Sequence, residues 1–433
     1  MAELVALVCC DLGGIVRGRS VPSAQLPERL QEGVGWVPAN SALTPLGALA
    51  EPNPFGSIGD LRLLPDPRTR VRVESAGAPL ELLLCDIVET DGTPWQGCPR
   101  RFLSESVAEL DAQLGAHAQV SFEHEFQLLR SAPSPLPFSL AAQMHAAPLG
   151  EQLLDALAQA GLEPELFFGE FAPWQFELPI APADALTAAD RAVVLRELVR
   201  EVARRQGDRA TFVPLLDPQG AGNGVHIHLR LLSSDGEPLL FDRDRPGMLS
   251  GTGASFAAGI LAHAPALVAL TAPSPVSAPR LAPHRWGAGA AALGVQNREA
   301  LLRIPPVVSL AARDPAHQLR LEYRAADASA NPYLALGALL RAGLAGVRER
   351  LPPPPLLEAD PATLEREHAL RFGVGALPDS LGGALDALAG DTVVRGWTGT
   401  LLYDAYQSLK RAELAAVEGL DLGEACRRYA EAY

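Results

Sequence analysis

Lysine is almost absent from this chain, since Lys410 is the single lysine in 433 residues. It stands in a helix-like segment and does not follow a glycine-rich loop. A Walker A phosphate loop needs a lysine at a fixed spacing, and imine-forming catalysis needs a lysine amine. Both kinds of site are therefore excluded, and any phosphate that this protein handles has to be met by arginine or by metal ions.

Long apolar runs, Cys-x-x-Cys motifs and excess positive charge are also absent from the sequence. No apolar stretch approaches the ~18–20 residues of a membrane-spanning helix, and the first residues lack the basic segment of a secretory signal. The five cysteines include no Cys-x-x-Cys pair, which is typical of reduced, buried thiols. A net charge of −15 argues against nucleic acid or an anionic membrane as partner. We therefore expect a cytoplasmic protein that binds neither.

The order of strand-like and helix-like segments favours the α+β class, because it lacks a regular βαβ rhythm. A chain of 433 residues with 48% hydrophobic content can bury a substantial core. Short strand-like runs occupy the first part of the chain. Helices are predicted at residues 99–115, 187–206 and 331–351, and mainly helix from about residue 381 onward. Thr187 with Asp190 resembles a capping box, and Asn331 with Pro332 an N-cap pair.

Four strand-like segments carry polar and charged side chains on one face. These are Ser121, Glu123, Glu125 and Gln127 in the first, Gln175 and Glu177 in the second, His226, His228 and Arg230 in the third, and Arg320, Glu322 and Arg324 in the fourth. Side chains two residues apart on a strand lie roughly 6–7 Å apart and point the same way. Taken alone, each pattern is more typical of an exposed face or a cross-strand charge pair. The four together favour a wall that holds divalent metals and something polyanionic.

The residue types on these segments suit phosphoryl transfer. The carboxylates and the imidazole form an oxygen-rich, cysteine-free set that Mg²⁺ or Mn²⁺ prefers: Glu123, Glu125, Glu170, Glu177, Glu322 and His226. Five arginines cluster within the same third of the chain: Arg280, Arg298, Arg303, Arg320 and Arg324. Arginine can bind phosphate or carboxylate through two parallel hydrogen bonds. Metals combined with arginines indicate a site where catalysis is mostly positioning and charge neutralisation.

These motifs resemble the glutamine synthetase family. The resemblance is carried by Ser-Phe-Glu-His-Glu-Phe at 121–126, Gly-Asn-Gly-Val-His-Ile-His-Leu at 222–229, Asn-Arg-Glu-Ala-Leu-Leu-Arg-Ile-Pro at 297–305 and the segment 321–333. It implies a small N-terminal β-grasp domain at residues 1–97 and a large catalytic α+β domain at 98–433, with a funnel of antiparallel strands. It also implies a dodecamer-like, ring-forming homo-oligomer in which the neighbour's N-terminal domain completes each site.

The resemblance assigns roles residue by residue. It implies two or three Mg²⁺ or Mn²⁺ ions per site, one on Glu125, Glu170 and Glu177 and a second on Glu123, His226 and Glu322. ATP phosphates are expected on His228, Arg298, Arg303 and Arg320, with Arg298 and Arg303 as catalytic arginines. The amino-acid substrate is expected on Gly222, Arg280 and Arg324. The implied reaction is phosphorylation of the γ-carboxylate of glutamate by ATP, followed by attack of an amine on the acyl phosphate.

Three positions depart from the family pattern and bear on the amine. Trp286 stands where ammonia-using members carry a glutamate that closes over the site, and Pro38 stands where an aspartate binds ammonium. Ala221 replaces an asparagine that helps to bind glutamate. We therefore predict a γ-glutamyl amide ligase for an amine other than ammonia, with Trp286 contacting the substrate. The alternatives are an ammonia-using glutamine synthetase and a non-catalytic family member with a structural or regulatory role.

Overall fold

The structure, a computed structural model, describes residues 3–74, 79–285, 287–310 and 313–433. Its strands are β1 (Leu4–Cys10), β2 (Val16–Pro22), β3 (Val34–Trp36), β4 (Leu61–Pro65), β5 (Val71–Val73), β6 (Leu80–Glu89), β7 (Ala116–Leu128), β8 (Phe168–Gly169), β9 (Gln175–Pro179), β10 (Ala183–Asp184), β11 (Ala210–Thr211), β12 (Val225–Ser233), β13 (Ala290–Val295), β14 (Ala300–Ile304), β15 (Leu321–Tyr323) and β16 (Leu356–Leu357). Its α-helices are α1 (Leu26–Glu32), α2 (Pro99–Leu114), α3 (Leu140–Ala146), α4 (Leu149–Gln159), α5 (Ala185–Arg205), α6 (Gly251–Ala262), α7 (Ala264–Thr271), α8 (Pro332–Arg348), α9 (Arg366–Arg371), α10 (Leu381–Gly390), α11 (Thr392–Ala416) and α12 (Leu422–Ala432).

The N-terminal strands form a small mixed sheet in the order β2-β1-β6-β4-β3, with β5 also paired to β6. Strands β1 and β6 run parallel, whereas the other pairs are antiparallel. Helix α1 packs on β4, and buried side chains such as Leu7, Leu63 and Leu83 fill a core of their own. This is the small N-terminal β-grasp domain that the sequence predicts.

The larger sheet is formed by the strands from β7 onward and has the order β16-β13-β14-β15-β12-β7-β9-β8. The central neighbours β15, β12, β7 and β9 are antiparallel, as expected for the funnel of strands. At one end of the sheet, β13 instead pairs in parallel with β14 and with β16. The long central strands therefore present two continuous faces, one apolar and one polar.

The apolar face of β7 is buried beneath helices, as the alternation in its sequence predicts. Val120, Phe122, Phe126 and Leu128 are each at most 2% exposed. Helices α2 and α5 pack on β7, and α8 packs against both helices. Each such buried side chain contributes about 1.5–3 kcal/mol relative to an exposed one. This packing turns the glutamates of the same strand toward the opposite side of the sheet.

The predicted capping box at the start of α5 is wrong. The helix begins at Ala185, and its N-cap is Asp184, whose carboxylate accepts a hydrogen bond from the Thr187 backbone N–H at 3.1 Å. Asp190 instead turns inward and accepts hydrogen bonds from Arg100 Nε at 2.9 Å and from the Tyr333 hydroxyl at 2.6 Å. A carboxylate one residue before the helix reaches its free N–H groups directly, which leaves the later aspartate for tertiary contacts.

Other local predictions are confirmed. Asn331 caps α8 by accepting hydrogen bonds from the backbone N–H groups of Tyr333 and Leu334. All five cysteines are buried and free. Within the described ranges, no single helix is long and apolar enough to cross a membrane, although the bent pair α6 and α7 satisfies the length and composition test together.

Candidate functional site

The polar faces of the central strands border one cavity of about 460 Å³. The charged side chains of its lining are Glu123, Glu125, Glu170, Glu177, His226, His228, Arg298, Arg303, Arg320, Glu322 and Arg324. Two aromatic residues, Phe138 and Phe168, complete the wall. The cavity thus contains every predicted metal-binding residue and every residue predicted to bind ATP phosphates.

Strand register explains why these side chains meet. His226 lies opposite Glu123 in the β12–β7 pair, and Glu177 lies opposite Glu125 in the β9–β7 pair. Glu322 lies opposite His228 in the β15–β12 pair and opposite Arg303 in the β15–β14 pair. Directly opposed residues have Cβ atoms about 4.5–5.5 Å apart. The side chains are therefore brought together by backbone pairing.

Three carboxylates at one side of the cavity are crowded. Burial, followed by the neighbouring carboxylates of Glu123, Glu125 and Glu170, raises the pKa of Glu177 to about 10. Burial and the charge of Glu125 raise the pKa of Glu170 to about 7. A divalent cation between these groups would remove the repulsion and favour their ionised forms. Glu125, Glu170 and Glu177 therefore fit a hard metal ion.

A second group is centred on Glu123. Ligand atoms of Glu123, His228 and Glu322 lie within 4.8 Å of one another. Nε2 of His228 is 2.9 Å from Glu123 Oε1, and Nδ1 of His226 is 3.4 Å from Glu123 Oε2. Burial alone would raise the pKa of Glu123, but His228 and His226 outweigh it and hold that pKa well below its usual range. Both histidines, rather than His226 alone, therefore lie beside this carboxylate.

Glu322 is held between two arginines. Arg303 Nη1 donates to its Oε2 at 2.6 Å, and Arg324 Nη1 donates to its Oε1. Burial would raise the pKa of Glu322, but His226, Arg324, His228 and Arg303 together lower it to about 2. The carboxylate is therefore ionised, and each oxygen keeps a lone pair beyond the one that accepts from arginine.

The structure places the residues predicted to bind the amino-acid substrate in different surroundings. Arg324 lines the cavity, whereas Arg280 is only 2% exposed, is not part of the lining and donates to the backbone carbonyls of Ala325 and Ala326. Gly222 packs against Arg280, since a Cβ atom at position 222 would lie 2.6 Å from Arg280 Cγ. Trp286 lies outside the described residues.

A second cavity of about 650 Å³ continues from the first and shares Glu123, His228 and Arg320 with it. It extends to Arg230, Gln318 and the exposed apolar side chains of Val308 and Leu310. The alternation of the sequence places Arg230 on the polar strand face, because it follows His228 by two residues. The segment around 308–318 has no such alternation, so its part in the cavity was not predicted.

The chain is similar to known proteins along nearly its whole length. Residues 1–95 match the glutamine synthetase N-terminal domain, and residues 96–421 match the glutamine synthetase catalytic domain. A gamma-glutamylpolyamine synthetase, GlnA3 of Streptomyces coelicolor, is 35% identical over 96% of this chain and 91% of its own length. A glutamine synthetase of Halobacterium salinarum is 31% identical over 95% of this chain and 90% of its own length.

Solved structures agree over the full chain. A crystal structure described as a novel glutamine synthase homolog superposes with a TM-score of 0.92 at 47% identity, covering 100% of this chain and 99% of that one. A structure described as GmaS without ligand gives a TM-score of 0.83 at 27% identity, covering 97% and 94%. Fold, site residues and sequence matches all lead to the same conclusion: this chain belongs to the glutamine synthetase family.

Proposed function

We propose that this chain is a cytoplasmic ligase that uses ATP to join the γ-carboxylate of glutamate to an amine other than ammonia, by way of γ-glutamyl phosphate. The observation that carries the proposal is the cavity in which five glutamates and two histidines face four arginines. Family members are ligases that depend on ATP and divalent metals. A non-catalytic member would be expected to lose some of these side chains, and here the whole set shares one cavity.

Two metal positions are proposed, on Glu125, Glu170 and Glu177 and on Glu123, His226 and Glu322. Nδ1 of His226 lies 3.4 Å from Glu123 Oε2 and 3.9 Å from Glu322 Oε1. These separations are long for hydrogen bonds, but they leave room for an ion with ligand distances of about 2.1 Å.

His228 fits the phosphate role better than the metal role. Its Nδ1 accepts a hydrogen bond from Arg320 Nε at 3.0 Å, which places the proton of the neutral ring on Nε2. Nε2 lies 2.9 Å from Glu123 Oε1 but outside hydrogen-bonding geometry, and with the proton on it Nε2 has no lone pair to offer a metal. We assign His228 and Arg320 to the ATP phosphates, and the adjoining cavity with Val308 and Leu310 to the nucleoside.

The arginines supply fixed positive charge for the reaction. Arg303 and Arg324 are bound to Glu322 before any substrate arrives, so little reorganisation is needed when negative charge develops. Metal ions held by the glutamates and His226 would add further neutralisation and polarise the phosphoryl oxygens. Arg298, Arg303 and Arg320 offset the charge of the transferred phosphoryl group, and Arg324 holds a carboxylate of glutamate. The amine nitrogen then attacks the γ-carbonyl carbon, the C–O bond to phosphate breaks, and inorganic phosphate leaves as the amine loses a proton.

The amine is proposed from the departures at Trp286 and Pro38, which remove two negative groups expected to cage ammonium. The relative named gamma-glutamylpolyamine synthetase makes a polyamine the first amine to test. Other relatives of similar identity are named glutamine synthetase, which makes ammonium the second candidate. We also propose the domain division at residue 97 and a ring-shaped homo-oligomer in which a neighbour's N-terminal domain completes each site.

The test is phosphate release with ATP, Mn²⁺ or Mg²⁺ and glutamate, against ammonium and a panel of polyamines, monoamines and aromatic amines, with product masses measured. Release that depends on an organic amine and yields the matching γ-glutamyl amide supports the proposal. Release with ammonium alone makes the protein a glutamine synthetase, and no release contradicts both activities. Glu177→Gln should lower turnover by at least about 100-fold because it removes a proposed metal ligand. Glu105→Gln, on the exposed side of α2, is the matched control and should leave turnover unchanged.

A further inference from the structure

A buried glutamine, Gln175, lies directly behind the proposed metal ligands. We infer that Gln175 is a positioning residue: it holds the Glu125 carboxylate in one orientation and ties it to the loop at residues 222–224. This inference rests on the proposed function, because it concerns how a carboxylate of the proposed metal site is oriented. Gln175 is on β9, two residues before Glu177, and is 3% exposed.

The orientation of the Gln175 amide is determined by its surroundings. Its Oε1 accepts a hydrogen bond from the Ala172 backbone N–H at 2.8 Å. Because a backbone N–H can only donate, the amide nitrogen must face the other way. Nε2 lies 3.2 Å from Glu125 Oε2, 2.9 Å from the Gly222 carbonyl and 2.9 Å from Asn223 Oδ1. One side chain therefore touches a proposed metal ligand and the predicted substrate loop.

Two further buried amides extend this arrangement and prevent it from flipping. Asn223 Nδ2 donates to the Val213 carbonyl at 2.8 Å and to Gln127 Oε1 at 3.2 Å. Gln127 Nε2 donates to the Pro173 carbonyl at 2.9 Å. Turning over any one of these amides would set donor against donor or acceptor against acceptor. Each buried polar group left unpaired would cost about 1–3 kcal/mol.

The hydrogen bonds leave one oxygen of Glu125 for a metal. Within the described residues, both hydrogen bonds to this carboxylate are accepted by Oε2, from Gln175 Nε2 at 3.2 Å and from the Gly224 N–H at 2.8 Å. A Cβ atom at position 224 would lie 3.6 Å from Glu125 Oε1 and 3.5 Å from His226 Nε2. A side chain at position 224 would therefore be in van der Waals contact with both groups. Without the bond from Gln175, only the Gly224 N–H would hold the orientation of this carboxylate.

The test is Mn²⁺ binding to the purified full chain without ATP, measured by calorimetry, for Gln175→Ala and Gln175→Met. The methionine variant keeps most of the side-chain volume but has no amide donors. Loss of a residue that orients a metal ligand typically costs 10–100-fold in metal affinity, and we expect that loss in both variants. Asn331→Ala is the matched control, because Asn331 is also a buried amide but lies at the start of α8. Asn331→Ala should lower the melting temperature while changing the Mn²⁺ dissociation constant by less than about threefold.

The outcomes separate this inference from the proposed function. Wild-type protein that neither binds Mn²⁺ nor forms a γ-glutamyl amide overturns the proposed function. Wild-type protein that does both, together with Gln175 variants of unchanged Mn²⁺ affinity, overturns the role of Gln175 alone. An equal loss of affinity in Asn331→Ala would assign the effect to general loss of stability and also overturn that role. If Gln175→Ala does not fold, Gln175→Met decides the question.

Discussion

Replacing the single lysine, Lys410→Met, should strongly destabilise this protein although the side chain has no part in the proposed chemistry. Lys410 and Glu413 are both 0% exposed, and Nζ donates to Glu413 Oε1 at 2.7 Å. The other carboxylate oxygen accepts from the Tyr429 hydroxyl at 3.0 Å. Lys410 and Glu413 both belong to α11, and the Tyr429 hydroxyl connects them to α12. None of the three lines the cavity of the proposed active site.

The size of the effect follows from this geometry. Two unit charges 2.7 Å apart attract by about 6 kcal/mol at an effective dielectric constant of ~20. Desolvation offsets much of that attraction, but removing one partner leaves the other charge buried and costs about 3–5 kcal/mol. The double variant Lys410→Met/Glu413→Gln removes both charges and keeps an acceptor for Tyr429. It should therefore recover most of the loss.

The loss should also depend on pH. Burial raises the pKa of Glu413 above its ordinary value of 4.5, and Lys410 and Tyr429 only partly offset this. Without Lys410, the folded protein must keep this carboxyl protonated, whereas the unfolded chain releases the proton. A carboxyl whose pKa is higher in the folded state loses stability as pH rises above its unfolded pKa. The deficit of Lys410→Met should therefore be small near pH 4 and grow toward pH 7.

Urea-induced unfolding of the wild type, the single variant and the double variant at several pH values measures these differences. A loss below about 1 kcal/mol for Lys410→Met at pH 7 would refute the buried-charge reasoning. So would a double variant that is as unstable as the single one.

Two further predictions concern the segment before and at position 286. Trp286→Glu should raise turnover with ammonium relative to the native amine, measured as phosphate release, because it would restore a carboxylate at the position that we propose for the amine site. No gain by a folded variant would count against the proposed amine specificity. Asp360 lies 2.9 Å from His284 Nε2 and raises the pKa of this imidazole above 6.5. The stabilisation from this pair should be present at low pH and lost as pH rises through the raised pKa. The melting temperatures of the wild type and of His284→Gln, measured between about pH 5 and pH 9, should converge at the alkaline end. A difference in melting temperature that does not change with pH would contradict the prediction.

Much of the local structure could be predicted because it depends on neighbours along the chain. The alternation from Val120 to Leu128 determines which side chains share a strand face. Asn331 followed by Pro332 marks the start of α8, since an amide oxygen before a proline suits a helix N-terminus. The start of α5 was misplaced because two nearby residues could serve as cap. Only the packing of Asp190 against Arg100 shows which carboxylate is needed elsewhere.

The candidate site was partly predictable for the same reason. The spacing of Glu123 and Glu125 indicates a shared face, but strand register decides that His226 lies opposite the first and Glu177 opposite the second. Register depends on pairing between residues that are here 103 and 52 positions apart, and a single sequence carries no direct signal for it. The resemblance to glutamine synthetases instead supplied the grouping of these side chains.

The sequence by itself determined the class of protein, the polar faces, the residue types of the site and the departures at positions 38, 221 and 286. The tertiary structure alone decided that Lys410 is buried against Glu413, that Arg280 is bound to the Ala326 carbonyl and that Gln175 donates to Glu125. Charged and amide side chains are usually exposed, so their burial cannot be inferred from residue type. It depends on the partners that packing brings within hydrogen-bonding distance, and those partners come from distant parts of the chain.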